Sequence, residues 1–160
     1  MPENLEAGCV AESDADLDAV VARVSAGVLE TMFFEEAVET ECQHAWLQSA
    51  ITTELHFNGS HDGCFFLSVS PEAARAIAAG FLGLDAEELA DGQGAQVILE
   101  LTNILCGAIM SHLWPESSLS LDSPLQVVPE QVPSCTMHRC FQLPDGPVAI
   151  FIHLHSGVQS

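Results

Sequence analysis

The chain predicts an α+β fold, a layer of helices packed on a mainly antiparallel sheet. Three stretches carry apolar residues at helical spacing, five others alternate with period two, and no repeated strand–helix–strand unit occurs. At 160 residues the length suits one domain with a single core. Residues 1–12 read as a flexible polar tail and 13–157 as the domain.

The elements follow in order. Ser13, with Asp16 three residues on, reads as an N-cap, and Leu17, Val20, Val21, Val24, Val28 and Met32 give a first helix to about residue 38. Its end carries Glu35, Glu36, Glu39 and Glu41 as a solvated acidic stretch. From about Trp46 to Phe57 the period is two, through Leu47, Ile51, Thr53, Leu55 and Phe57. Turn residues at 58–63 then lead to Phe65, Leu67 and Val69, which makes a hairpin. Ser70, Pro71 and Glu72 start a second helix whose buried stripe is Ala74, Ile77, Ala78 and Phe81, ending near Gly80 and Gly83. Asp85 and Glu88 cap a short turn, and Asp91, Gly92 and Gly94 break the chain before a long helix at 96–115 that Pro115 closes. Strands follow near 119–128, 136–143 and 148–155, the last two joined by the turn at 144–147.

The long helix has two faces. At about 100° per residue, Val97, Ile98, Leu101, Ile104, Leu105, Ala108 and His112 gather on one side, for a core. Gln96, Glu100, Asn103, Gly107 and Trp114 gather on another. Relative to Ala, Gly107 costs about 1 kcal/mol in a helix interior and Asn103 roughly half that. A surface chosen for helicity alone would hold neither. A missing side chain at Gly107, one turn beyond the carboxamide and two beyond the carboxylate, suits a helix that lies close against a partner.

The chain has 23 acidic residues against three arginines, Arg23, Arg75 and Arg139, and no lysine, for a formal charge of −20. It offers no basic surface to neutralise phosphates, so nucleic acid and anionic membranes are not expected partners. The acidity serves either solubility or an electropositive protein partner. Cys9, Cys42, Cys64, Cys106, Cys135 and Cys140 form no Cys-x-x-Cys pair and read as reduced, packed thiols of a cytoplasmic protein. Glu100 and Asn103 interrupt the most hydrophobic segment, so no membrane span is expected.

Glu100-Leu-Thr-Asn103-Ile-Leu-Cys-Gly107 resembles the Glu-x-x-Asn motif of the CheX branch of the CheC/CheX/FliY chemotaxis phosphatases. The wider order is similar too: a helix carrying Thr31 to Phe33, a hairpin, a Ser-Pro-initiated Ala-rich helix, one motif helix, a Leu-Asp-Ser-Pro segment at Leu121 to Pro124, and a closing hairpin, over roughly residues 15–155. The resemblance implies the CheC/CheX-like layer fold and a phosphatase acting on the aspartyl phosphate of a CheY-like receiver domain. By that resemblance Asn103 orients the attacking water and Glu100 pairs with the receiver's lysine; Gln96, Gly107 and Trp114, which share their face of the helix, are the expected partner-binding residues. It implies no cofactor of the chain's own, with Mg²⁺ held by the receiver, and a homodimer formed by strand pairing, for which the apolar final strands are suitable. Relatives tend to have Asp or Ser where Gln96 stands and Gly where Leu99 stands. The alternative is a catalytically silent module that docks on a receiver or flagellar-switch protein, like the middle domain of FliM. A third reading makes the Glu100 face a self-contact.

Other constellations carry less. His153-x-His155 would share a strand face, but no third ligand has a suitable spacing, so an ordinary sheet face and no metal are expected. His112 reads as a hydrogen-bonded core histidine. Cys106 lies off the Glu100 stripe with no cation nearby to activate it. No phosphate-cradling glycine loop or Gly-x-Ser-x-Gly setting occurs.

Overall fold

The computed structural model describes residues 18–31, 36–42, 44–116, 118–133 and 137–155. The predicted tail, the Ser13 cap and the Met32–Phe33 part of the resemblance lie outside them. Three helices, α1 at 18–31, α2 (Pro71–Leu82) and α3 (Gln93–Leu113), stand with a seven-stranded antiparallel sheet. The strands are β1 (Val38–Thr40), β2 (Ile51–Gly59), β3 (Gly63–Val69), β4 (Leu119–Leu121), β5 (Leu125–Val127), β6 (Met137–Leu143) and β7 (Gly146–Leu154), in the order β1-β6-β7-β3-β2-β4, with β5 also on β2.

The two hairpins form the middle of the sheet. β2 pairs with β3 around the 58–63 turn, where Gly59 donates its N–H to Asp62 Oδ1 at 3.1 Å. β6 and β7 meet at a tight turn in which Gly146 has φ 157°, and a Cβ there would collide with Ser70 Oγ. That Ser70 hydroxyl is committed elsewhere, accepting from the Ala73 N–H at 3.2 Å as the cap of α2. Gly83, at φ 70°, closes the same helix in the left-handed region.

The main core lies between the helices and one sheet face. Val21, Val24 and Leu29 of α1, Ala74, Ile77 and Ala78 of α2, and Ile98, Leu101, Leu105 and Ile109 of α3 pack on Leu55, Phe57, Phe65, Leu67, Val148 and Ile150. The other face has its own smaller cluster, Cys64, Phe66, Cys140, Ala149 and Phe151, covered by Trp46, Leu47 and Val132. β3 is buried along its whole length because both its faces are covered.

Several expectations are corrected. The first helix does not reach residue 38, because Val38–Thr40 extends the sheet by pairing with Cys140–Gln142. The strand expected from Trp46 starts only at Ile51, since His44–Ser49 winds into a 3-10 turn that laps the smaller core. The strand expected at 119–128 is two, β4 and β5, separated where the Asp122–Pro124 segment leaves the ladder. Phe81 is 40% exposed rather than buried. Cys42 and Cys140 are joined in a disulfide, their Cα atoms 5.2 Å apart, rather than reduced. The Thr40–Cys140 pairing brings them together, two residues from the end of β1. Cys64 and Cys106 are free and buried. By length and composition α3 could cross a membrane, contrary to expectation, but in the fold it is a core helix. β7 is interior and β1 covers β6 over Cys140–Gln142, so among the described residues the sheet's edges are β1 with the Met137–Arg139 part of β6 and the β4–β5 side.

Candidate functional site

α3 begins at Gln93, behind Gly92 at φ 87°, and runs 21 residues without a break. Its buried side is Val97, Ile98, Leu101, Thr102, Leu105, Cys106, Ile109 and Met110. The opposite side leaves Gln96, Glu100 and Asn103 exposed, with Gly107 half-buried. Glu100 and Asn103 project from successive turns of one rigid rod, their Cβ atoms about 5–6 Å apart by helical geometry. A carboxylate acceptor thus stands next to a carboxamide that can both donate and accept.

The rod is held from behind. Thr102, between the two site residues, turns inward, donating to the Ile98 carbonyl at 2.6 Å and meeting Thr53 of β2. Thr102 was not among the residues the sequence singled out. A polar residue on the apolar side of an otherwise aliphatic helix is the signal that marks it.

Two concavities flank Asn103 along the helix. Towards the N-terminus a groove of about 380 Å³ is lined by Phe81, Leu82, Gln96, Val97, Leu99 and Glu100. Phe81 and Leu82, 40% and 39% exposed, give it an apolar wall beside the Glu100 carboxylate. Towards the C-terminus Gly107, Met110, Trp114, Leu119 and Leu121 line a hollow of about 170 Å³. A Cβ on Gly107 would lie 3.9 Å from Leu121 Cδ1, so the glycine keeps a gap open rather than relieving a clash.

The predicted residues therefore divide. Gln96, Glu100 and Asn103 share one exposed face, and Gly107 borders it. Trp114 belongs to the end of the helix instead, half-buried and stacked on His61 of the 58–63 turn at 3.8 Å and 13°. His112 is exposed, its Nδ1 3.0 Å from the Ala108 carbonyl, and not the core histidine expected, because it sits in the last turn, beyond Ile109 and Met110, where the buried part of the helix ends. Cys106 is fully buried, and burial pushes its thiol up to about 12, which leaves it no nucleophilic role at neutral pH.

A family model described as Chemotaxis phosphatase CheX matches residues 51–144, more than half of the chain, from β2 through β6 and across the whole of α3. Among solved structures, a chemotaxis protein CheX from Vibrio vulnificus is similar at a TM-score of 0.72 and 17% identity, over 89% of this chain and 98% of that one. The CheX–CheY–BeF3–Mg²⁺ complex from Borrelia burgdorferi is similar at 0.69 and 17%, over 86% and 97%. The middle domain of FliM from H. pylori is similar at 0.53 and 15%, over 89% and 91%. A search of the curated proteins found no match. The likeness in fold extends over most of each structure, while the sequence match covers the first hairpin, the motif helix and the strands up to β6. The chain belongs to the CheX family of chemotaxis phosphatases.

Proposed function

We propose that this chain hydrolyses the aspartyl phosphate of a CheY-like receiver domain, using the exposed Glu100/Asn103 face of α3. The observation that carries the reading is that face itself: two polar side chains on a braced helix, presented outward, with an apolar groove on one side and a glycine gap on the other. The B. burgdorferi relative, solved with CheY, supports a receiver as the partner.

Phosphoryl transfer from a receiver needs little covalent assistance and is accelerated mainly by alignment and charge stabilisation. Asn103 enters the receiver's site, its Oδ1 accepting a hydrogen bond from a water and holding that water in line with the scissile P–O bond. The water's oxygen bonds to phosphorus as the bond to the receiver's carboxylate breaks, releasing inorganic phosphate and regenerating the aspartate. Glu100 pairs with the receiver's lysine, which anchors the two proteins and draws that cation from the phosphoryl group. Mg²⁺ belongs to the receiver. Phe81 and Leu82 supply apolar contact at the rim, and the surplus of acidic residues favours encounter with an electropositive surface. Among the described residues, the edges open to a homodimer formed by strand pairing are β1 with the start of β6, and the β4–β5 side.

Gln96 and Leu99, which depart from the residues relatives tend to carry, favour a second reading: a silent docking module that binds the receiver without turnover. Decay of phosphate from the organism's own phosphorylated receivers, with and without this protein, separates the two. Faster decay supports the phosphatase; unchanged decay with measurable binding supports the docking module; neither binding nor faster decay with any receiver excludes both.

A further inference from the structure

We propose that Glu54, His56 and Cys64 form a three-donor site for a tetrahedrally coordinated divalent transition-metal ion, zinc foremost, on the sheet face away from α3, with His155 beside Cys64 to supply the fourth donor. The strand register assembles it. His56 of β2 lies opposite Cys64 of β3, which lies opposite His153 of β7, so all three point to one face. Glu54 precedes His56 by two residues and His155 follows His153 by two, which keeps them on that face.

Three of the donors already lie close enough for one ion, and His155, next to Cys64, closes the site by a turn of its side chain. Cys64 Sγ lies 3.2 Å from His56 Nδ1, 3.8 Å from its Nε2 and 3.7 Å from His155 Nε2, and His56 Nε2 lies 3.2 Å from Glu54 Oε2. With Zn–S of about 2.3 Å and Zn–N or Zn–O of about 2.1 Å at tetrahedral angles, the S···N and N···O edges come to about 3.6 and 3.4 Å. The donor atoms of Glu54, His56 and Cys64 all fall within 4.8 Å of one another. Thiolate, imidazole and carboxylate are the donors that zinc takes, and the spacing that His153-x-His155 lacks along the chain is supplied across the strands.

The site is built as well as near. Cys64 is 6% exposed, on a floor formed with Phe66 and Phe151, while His56 is about half exposed and leaves a way in. The backbone N–H of His155 donates to the Asp62 carbonyl at 3.0 Å, tying the end of β7 to the hairpin turn.

The full chain, stripped with a chelator and kept anaerobic without reductant, is titrated with Co²⁺ as an optical probe and then with Zn²⁺. The expected result is one Co²⁺ per chain, with visible bands of tetrahedral intensity and a thiolate-to-metal charge-transfer band, all displaced by one equivalent of Zn²⁺. Cys64→Ser removes the charge-transfer band, and His155→Ala, at an exposed position, weakens Co²⁺ binding at least about tenfold. Cys42→Ser leaves the spectrum unchanged. No saturable tetrahedral spectrum, or one that survives both Cys64→Ser and His155→Ala, overturns the proposal; neither readout depends on phosphatase activity.

Discussion

The hydroxyls of Thr102 and Thr53 are hydrogen-bonded to each other across the interface of α3 and β2, with both residues fully buried. Thr102 gives its single proton to the Ile98 carbonyl at 2.6 Å, so Thr53 is the donor in the pair. Its other available acceptor, the Leu67 carbonyl, is 3.4 Å away. This polar link in an aliphatic interface sets the rotation of α3 against the sheet, and that rotation turns Glu100 and Asn103 to solvent.

Thr102→Val keeps the shape and removes the acceptor, leaving the Thr53 hydroxyl with only its long bond. The expected cost is about 1–2 kcal/mol, read as a fall in urea midpoint at unchanged m-value. Thr102→Ser, which keeps the hydroxyl, should recover most of it. Equal loss in both variants would mean that packing of the methyl group, not the hydrogen bond, holds the helix.

Gly107→Ala separates stability from function. The added Cβ meets only Leu121 Cδ1 at ordinary contact distance, so the helix gains about 1 kcal/mol and Tm rises by about 2–4 °C. The same methyl group fills the gap a receiver would enter, so activity or receiver affinity should fall. A variant that is more stable and equally active would show that nothing docks at Gly107.

The buried thiols make stability fall at high pH. An unfolded Cys106 ionises near its ordinary 9.0, whereas burial pushes the folded thiol up to about 12. Between those values the unfolded state has lost a proton that the native state retains, so unfolding becomes easier as pH rises. In the metal-free chain Cys64, raised to about 11 mainly by burial, acts in the same direction over a narrower window. Chemical denaturation across this range should show declining stability, with a shallower decline in Cys106→Ala; an unchanged slope in that variant contradicts the assignment.

How much of this was legible in the sequence differs by element. α2 could be bounded almost to the residue, because Ser70, Pro71 and Gly83 each have a local reason to stand at a helix end. The Glu100/Asn103 face was readable from the 3.6-residue period and from the helix-propensity cost of Asn103 and Gly107. β1 was hidden because Val38–Thr40 has no strand pattern of its own and exists only by pairing with β6, about a hundred residues further on. Phe81 was misplaced because periodicity gives the angle of a side chain and not whether anything covers it. The histidines at 56 and 155 joined Cys64 only through strand register, which spacing along the chain does not reveal.

The most direct measurement compares single-turnover loss of phosphate from the receiver, and receiver affinity, for the unmodified chain, Asn103→Ala and Glu100→Ala. If Asn103 aims the water, Asn103→Ala slows hydrolysis about a hundredfold at nearly unchanged affinity. Glu100→Ala instead weakens binding by about 2 kcal/mol, roughly thirtyfold, and slows hydrolysis as well. Hydrolysis at the full rate by Asn103→Ala on a receiver that the unmodified chain dephosphorylates would contradict the account.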